Sequence, residues 1–217
     1  VASDEVGALY GEHPDFKLSI NLFAGHFLDR EIVSDIKSTF ENSEISYQQI
    51  VVEVTERYPL EDMELARKIM AELQALGVRI ALDDVGTGHG GMAYLQKLGV
   101  DIIKIDKMFI DSISSDDNST TIVDSMVELA DNLGMGIIAE GVEEEEQIDR
   151  LMELGVTAAQ GYYFAAPMPA KEFIEFAERV EDEARERARI AAEAAAAEQA
   201  AAEASIGGQD LARESHV

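Results

Sequence analysis

The sequence predicts an α/β fold with a parallel sheet, and three observations predict it. Helix-like stretches alternate with six short apolar runs. Four passages from helix to strand carry one small pattern: Leu76-Gly77-Val78, Leu98-Gly99-Val100, Leu133-Gly134-Met135 and Leu154-Gly155-Val156. A polar or ionisable residue stands at the carboxyl end of each run. In the joints the Leu closes the helix on its core face. The Gly takes the left-handed cap position, which needs no Cβ, and the next residue opens a strand.

In chain order, residues 1–13 read as the end of a helix, followed by strands at Leu18–Leu22 and Ile50–Val54. Residues 62–76 place Leu65, Ile69, Met70, Leu73 and Leu76 at helical spacing with charges between them. Strand Arg79–Leu82 leads into the glycine-rich turn Gly86-Thr87-Gly88-His89-Gly90-Gly91. Strands Ile102–Ile105 and Gly136–Ala139 follow, then a weaker one at Thr157–Ala159. Such continuous apolar runs suit strands covered on both faces. Met63, Met70, Met126 and Met152 fall at helix positions that suggest core. Glu143–Glu146 open a helix, where acidic residues complement the dipole. Residues 181–204 are dominated by Ala, Glu and Arg, with Ile190 as the single large apolar residue. They read as a solvated helical extension without a coiled-coil seam, and 205–217 as a frayed end. The organisation expected is 1–16 as the end of an upstream helix and loop, 17–180 as the folded α/β body, and 181–217 as the extension.

Composition narrows the function. The 217 residues carry 17 Lys+Arg against 44 Asp+Glu, a net charge of −27. That acidity argues against DNA, RNA or an anionic membrane as a bulk partner. A phosphate-bearing substrate would need a local offset, such as a divalent cation. The absence of Cys excludes disulfides and thiolate catalysis. No apolar run approaches the about 18 residues of a membrane span.

The strand ends carry the chemistry. The first run ends in Asn21, and the second holds Glu53 and leads to Glu56. The third runs into Asp83-Asp84, the fourth carries Lys104 and Asp106, the fifth leads to Glu140 and Glu143, and the sixth to Gln160. In a parallel barrel these ends share one face, where the βα loops build the active site. Asn, Glu and paired Asp offer hard oxygen ligands, which suit Mg²⁺ or Mn²⁺. Adjacent carboxylates can serve two ions, and such a pair clamps the attacking and leaving oxygens of a phosphoryl displacement. Lys104 would orient the water or steady phosphate charge. Tyr162-Tyr163-Phe164 follow the last strand, where aromatics can stack on a flat ring or pack at the barrel mouth.

Six motifs in order then carry a resemblance. They are Leu18-Ser19-Ile20-Asn21-Leu22, Val52-Glu53-Val54-Thr55-Glu56, Asp83-Asp84-Val85-Gly86-Thr87-Gly88, Lys104-Ile105-Asp106-Lys107, Ala139-Glu140-Gly141-Val142-Glu143 and Gln160-Gly161-Tyr162. From about residue 17 to residue 176 the chain closely resembles the EAL-domain family of cyclic di-GMP phosphodiesterases. The resemblance implies a TIM-like (β/α) barrel that hydrolyses cyclic di-GMP to linear pGpG with two Mg²⁺ or Mn²⁺ ions. It implies that Asn21, Glu53 and Asp83 hold the first ion, and that Asp83, Asp84 and Glu140 hold the second. It assigns Lys104 to the attacking water and Gln160 to the substrate, with Asp106 and Glu143 beside it. Glu56 matches the glutamate that anchors the loop after the aspartate pair, through backbone amides and Thr87. The family's members often dimerise and sit behind sensory or membrane-anchored regions, which implies a homodimer, an upstream regulator and the cytoplasmic side of a bacterial membrane.

The sequence departs from the family in three places. Val85 stands where Phe is usual, and His89-Gly90-Gly91 replaces a different loop run. The Glu-Ala-Leu motif that names the family, with its metal-binding glutamate, is absent upstream of Asn21. A (β/α)₈ barrel has eight strands and the sequence offers six, so one or two β/α units are expected to be missing from the front. The chain itself is expected to hydrolyse weakly or not at all. The alternative expectation is a non-hydrolysing module that binds cyclic di-GMP or a protein.

Overall fold

The computed structural model describes residues 2–56, 60–86, 91–113 and 117–214. Helix α1 (Ala2–Glu12) precedes β1 (Leu18–Leu22) and α2 (Glu31–Phe40). Then come β2 (Ile50–Thr55), α3 (Met63–Leu76), β3 (Arg79–Val85), α4 (Gly91–Leu98), β4 (Ile102–Ile105) and the short α5 (Lys107–Ile110). The order ends with α6 (Asp117–Leu133), β5 (Gly136–Glu140), α7 (Glu145–Glu153), β6 (Ala159–Gln160) and α8 (Ala170–Glu214). Short 3-10 turns at Ala24–Leu28 and Tyr47–Gln49 complete it. No helix among the described residues is long and apolar enough to cross a membrane.

The six strands form one parallel sheet in the order β1-β2-β3-β4-β5-β6. Each strand therefore pairs with its neighbour in sequence, and every connection is a parallel crossover, a unit that is right-handed in nearly all proteins. Repetition of that unit is the architecture of a TIM-like (β/α) barrel, here six strands of it, with β1 and β6 at its two edges. The four glycines of the Leu-Gly joints all adopt left-handed backbone, at φ 105°, 71°, 69° and 85°. Helix α3 shows how such a unit is bounded. The Asp62 carboxylate accepts from the Leu65 N–H at 3.0 Å at its start, and Gly77 ends it.

Two apolar layers hold the sheet. Toward the helices, Ile105 and Ala139 pack with Phe109, Ile110, Val123, Val127 and Leu151. On the opposite face Val51, Ala81 and Ile102 pack together, with Ile138 against them. This second layer is the floor of the barrel interior. Fully buried Ile69, Met70 and Leu73 anchor α3, as their spacing predicts. Met152 differs: it is 67% exposed, on the face of α7 away from buried Leu151. Adjacent helical residues diverge by about 100°, so the core cannot take both.

The strands reach further than their apolar runs. β2 extends to Thr55, β3 to Val85 and β5 to Glu140, while the weak sixth strand forms at Ala159–Gln160. Backbone ladders do not depend on side-chain polarity, so pairing continues beneath the polar residues. The chain divides into two compact units, Val1–Pro167 and Met168–Val217. α8 runs from Ala170 to Glu214, across the expected 180/181 boundary. Pairs such as Arg189–Glu193 at 2.6 Å line this helix, and helix once nucleated propagates cheaply.

Candidate metal centre and active site

The site is built by strand alternation. Residues two apart on a strand face the same way. Two positions beyond the floor residues Val51, Ala81, Ile102 and Ile138 stand Glu53, Asp83, Lys104 and Glu140. Four adjacent strands thus lay a polar layer directly over an apolar one. Three of the four side chains meet at the fourth. The Lys104 ammonium lies 2.7 Å from Glu53 Oε2, 2.6 Å from Glu140 Oε1 and 3.2 Å from Asp83 Oδ1.

Lys104 is 2% exposed, a position that ordinarily disfavours charge. Burial works to lower its pKa, but the hydrogen bonds to Glu140 and Glu53 outweigh it and hold the ammonium above the ordinary lysine range. The carboxylates outnumber it. Burial pushes the Glu140 carboxyl up to about 7, the Lys104 hydrogen bond pulls the other way, and Asp83 adds to the rise. With burial as the main cause and Asp83 adding to it, Glu140 is divided between protonated and ionised forms near pH 7. The Gln160 amide also donates to Glu140 Oε1, at 2.6 Å.

Asp84 joins this layer through an irregularity. Leu82 pairs with Ile103 and Val85 with Ile105, so Asp83 and Asp84 together oppose the single residue Lys104. This is a β-bulge. Asp84 adopts φ 59°, the left-handed region that few residues other than Gly, Asn and Asp visit, and the strain costs about 1–3 kcal/mol. The Asp84 N–H donates to Asp83 Oδ1 at 3.0 Å, and the Thr55 hydroxyl donates to Asp84 Oδ2 at 3.1 Å. Oxygens of Asp83, Asp84 and Glu140 consequently lie within 4.8 Å of one another. A regular strand would send Asp84 to the helix side.

Glu56 stands just past this layer, buried. Its N–H donates to the Asp83 carbonyl at 3.0 Å, and its Oε2 accepts from the Gly86 N–H at 2.9 Å. Gly86 has φ 97°, and a Cβ there would meet Phe109 Cε2 and Met126 Cε at 2.7 Å. The rest of the expected anchor, Thr87 with Gly88, His89 and Gly90, lies outside the described residues.

The remaining expected site residues are placed around the cluster. Asn21 is exposed on the edge strand β1, in register with Glu53. Asp106 caps α5, accepting from the Met108 N–H at 2.7 Å. Glu143 pairs with Lys107 at 2.9 Å. Tyr162, Tyr163 and Phe164 are exposed after β6, and Tyr163 meets Phe164 edge to face at 5.3 Å. The geometry thus gathers Glu53, Asp83, Asp84, Lys104, Glu140 and Gln160, and gives Asp106 and Glu143 local partners beside them. The bulge and the Thr55 contact are what the sequence reading missed, although two adjacent carboxylates on one strand are themselves a signal that alternation breaks.

The donor set is all oxygen apart from the lysine, and its burial and net negative charge fit hard divalent cations. Comparison with known proteins points the same way. The EAL domain family model matches residues 2–167. The cyclic di-GMP phosphodiesterase PdeL of Escherichia coli (strain K12) is 41% identical over 162 residues, covering 74% of this chain and 45% of that protein. The structure of the PaMucR phosphodiesterase in complex with c-di-GMP superposes with a TM-score of 0.71 at 32% identity, over 79% of this chain and 69% of that one. The manganese/cyclic di-GMP complex of Klebsiella pneumoniae BlrP1 superposes with a TM-score of 0.69 at 28% identity, over 76% of this chain and 43% of that one. The chain spans less than half the length of curated relatives such as PdeL. Matched over most of its length in sequence, and sharing the parallel fold, the chain belongs to the EAL domain family.

Proposed function

We propose that this domain hydrolyses cyclic di-GMP to the linear dinucleotide pGpG, using two Mg²⁺ or Mn²⁺ ions. The observation that carries the reading is the convergence of Asp83, Asp84 and Glu140 oxygens within 4.8 Å, beside a buried lysine, at the carboxyl ends of adjacent parallel strands. The names of the relatives supply the substrate class. In this reading Asn21, Glu53 and Asp83 hold one ion, and Asp83, Asp84 and Glu140 the other. The ions would supply Lewis-acid charge to the phosphodiester and offset the acidity of a chain at −27.

The chain's own residues do the rest. Lys104 holds three carboxylates with its three N–H groups, and with the ions bound it would turn one of them to the attacking water. Glu140 would give its carboxylate to the second ion, and the cation would favour that ionised form over the protonated one. Gln160 holds Glu140 and contacts substrate. Glu56 fixes the start of the loop after the aspartates through Gly86. Asp106 and Glu143 frame the substrate from the neighbouring loops. A bacterial cytoplasmic setting and a homodimer belong to the same reading, with an upstream sensory or membrane-anchored region in the parent protein.

The test is cyclic di-GMP turnover with Mn²⁺ or Mg²⁺, on this chain and on the chain with its native upstream residues, each with its Asp83→Asn counterpart. Turnover lost in Asp83→Asn with folding retained is the expected result. Near-normal turnover in that variant refutes the two-ion site. Binding of the dinucleotide without turnover in the folded, extended protein replaces the enzyme with a sensor.

A further inference from the structure

Two adjacent strand residues cannot both face the barrel interior unless something turns the second one back. In β3 the bulge makes room for that turn, and the left-handed backbone of Asp84 executes it. Neither by itself fixes where the carboxylate ends, because an aspartate side chain has two rotatable bonds. Thr55 supplies one constraint on it. It is in register with Asp83, on the same face as Glu53 two residues before it. Its hydroxyl reaches past Asp83 to Asp84 Oδ2 at 3.1 Å. Thr55 is β-branched and so held in few side-chain rotamers by its strand, which aims the hydroxyl.

We propose that Thr55 is a positioning residue for the second divalent cation, acting through Asp84: its hydroxyl holds the carboxylate of the bulge in the plane where it converges with Asp83 and Glu140. The proposal rests on the metal-centre reading above. It adds a residue with no charge and no direct place in the ligand set. It also separates the two ions, because Thr55 touches the group that would serve only the second.

The experiment is a Mn²⁺ titration of the full chain by electron paramagnetic resonance, with calorimetry for affinity, on wild type, Thr55→Val, Thr55→Ser and Asp83→Asn. Valine keeps the branched shape and removes the donor, while serine keeps the donor. Thr55→Val is expected to leave the first ion bound and weaken the second about ten- to hundred-fold, with loss of the spin-coupled signal of a Mn²⁺ pair. Thr55→Ser is expected to restore that signal. A Thr55→Val chain that holds both ions as tightly as wild type overturns the proposal, and so does a Thr55→Ser chain as defective as Thr55→Val. Should Thr55→Val fail to fold by circular dichroism, Thr55→Ala removes the donor without a packing demand and reads the same loss. If Asp83→Asn binds Mn²⁺ like wild type, or wild type binds none, the metal-centre reading itself is wrong and the proposal goes with it. Loss in Asp83→Asn beside two full sites in Thr55→Val rejects Thr55 alone.

Discussion

Replacing Glu140 with Gln should stabilise the metal-free chain at pH 8. The amide keeps an acceptor for Lys104 and cannot ionise. In the wild type the carboxyl sits at about 7 against an ordinary 4.5, chiefly through burial. A raised value in the folded state means that the fold prefers the protonated form. That preference adds stability below 4.5 and loses it as the pH rises through about 7. At about 1.4 kcal/mol per pH unit, the gap makes ionised Glu140 cost the fold on the order of 3 kcal/mol above pH 7. For a chain of this size that corresponds to roughly 6–12 °C in melting temperature. The assay is thermal melting by circular dichroism in EDTA at pH 4.5, 6 and 8. Glu140→Gln should melt highest relative to wild type at pH 8, with the difference vanishing near pH 4.5. Added Mn²⁺ should raise the wild type, by about 2.7 kcal/mol at a hundredfold excess over its dissociation constant, and raise the variant less. A variant that melts at or below wild type at pH 8, or a difference that ignores pH, refutes the account of a carboxylate held uncomfortably for a cation's sake.

Lys104→Met should destabilise the metal-free chain at pH 8 by about 3–5 kcal/mol, since it strands carboxylates that the ammonium now holds; melting with and without Mn²⁺ checks this, and the ion should recover part of the loss. Gly86→Ala should cost about 1–3 kcal/mol, because alanine is strained at φ 97° and its Cβ crowds Phe109 and Met126; urea denaturation reads it, and an unchanged midpoint contradicts the strain.

Much of this site was legible before the structure, for identifiable reasons. The Leu-Gly joints announced helix ends because the left-handed position tolerates little else. Short apolar runs ending in Asn21, Glu53, Asp83, Lys104 and Glu140 announced a shared face because parallel strands all point the same way. What stayed hidden is what depends on phase and contact. Sequence cannot report that Lys104 touches three carboxylates, since Glu53 and Glu140 are 87 positions apart and meet only through the sheet. Nor does it show that Asp84 turns back, because the bulge is a mismatch between two strands. The apolar floor beneath the site was visible only as individual residues. Its meaning comes from stacking Val51, Ala81, Ile102 and Ile138 across four neighbours.

The bulge also bears on how such domains lose an activity. Ile80 and Leu82 share the helix-side face with Ile103, and Val85 shares it with Ile105. Even-numbered positions lie on that face before the aspartate pair, and odd-numbered ones after it. Deleting one codon, that of Asp84, restores uninterrupted alternation and leaves every apolar residue of β3 facing as it does now. Most single-residue deletions in a buried strand invert everything downstream. This one would simplify the strand and remove one carboxylate of the cluster together with its hydrogen bonds to Thr55 and Asp83. The acidic cluster and the scaffold are therefore separable at one residue: an in-frame deletion would take away one carboxylate and keep the apolar faces of the strand where they are.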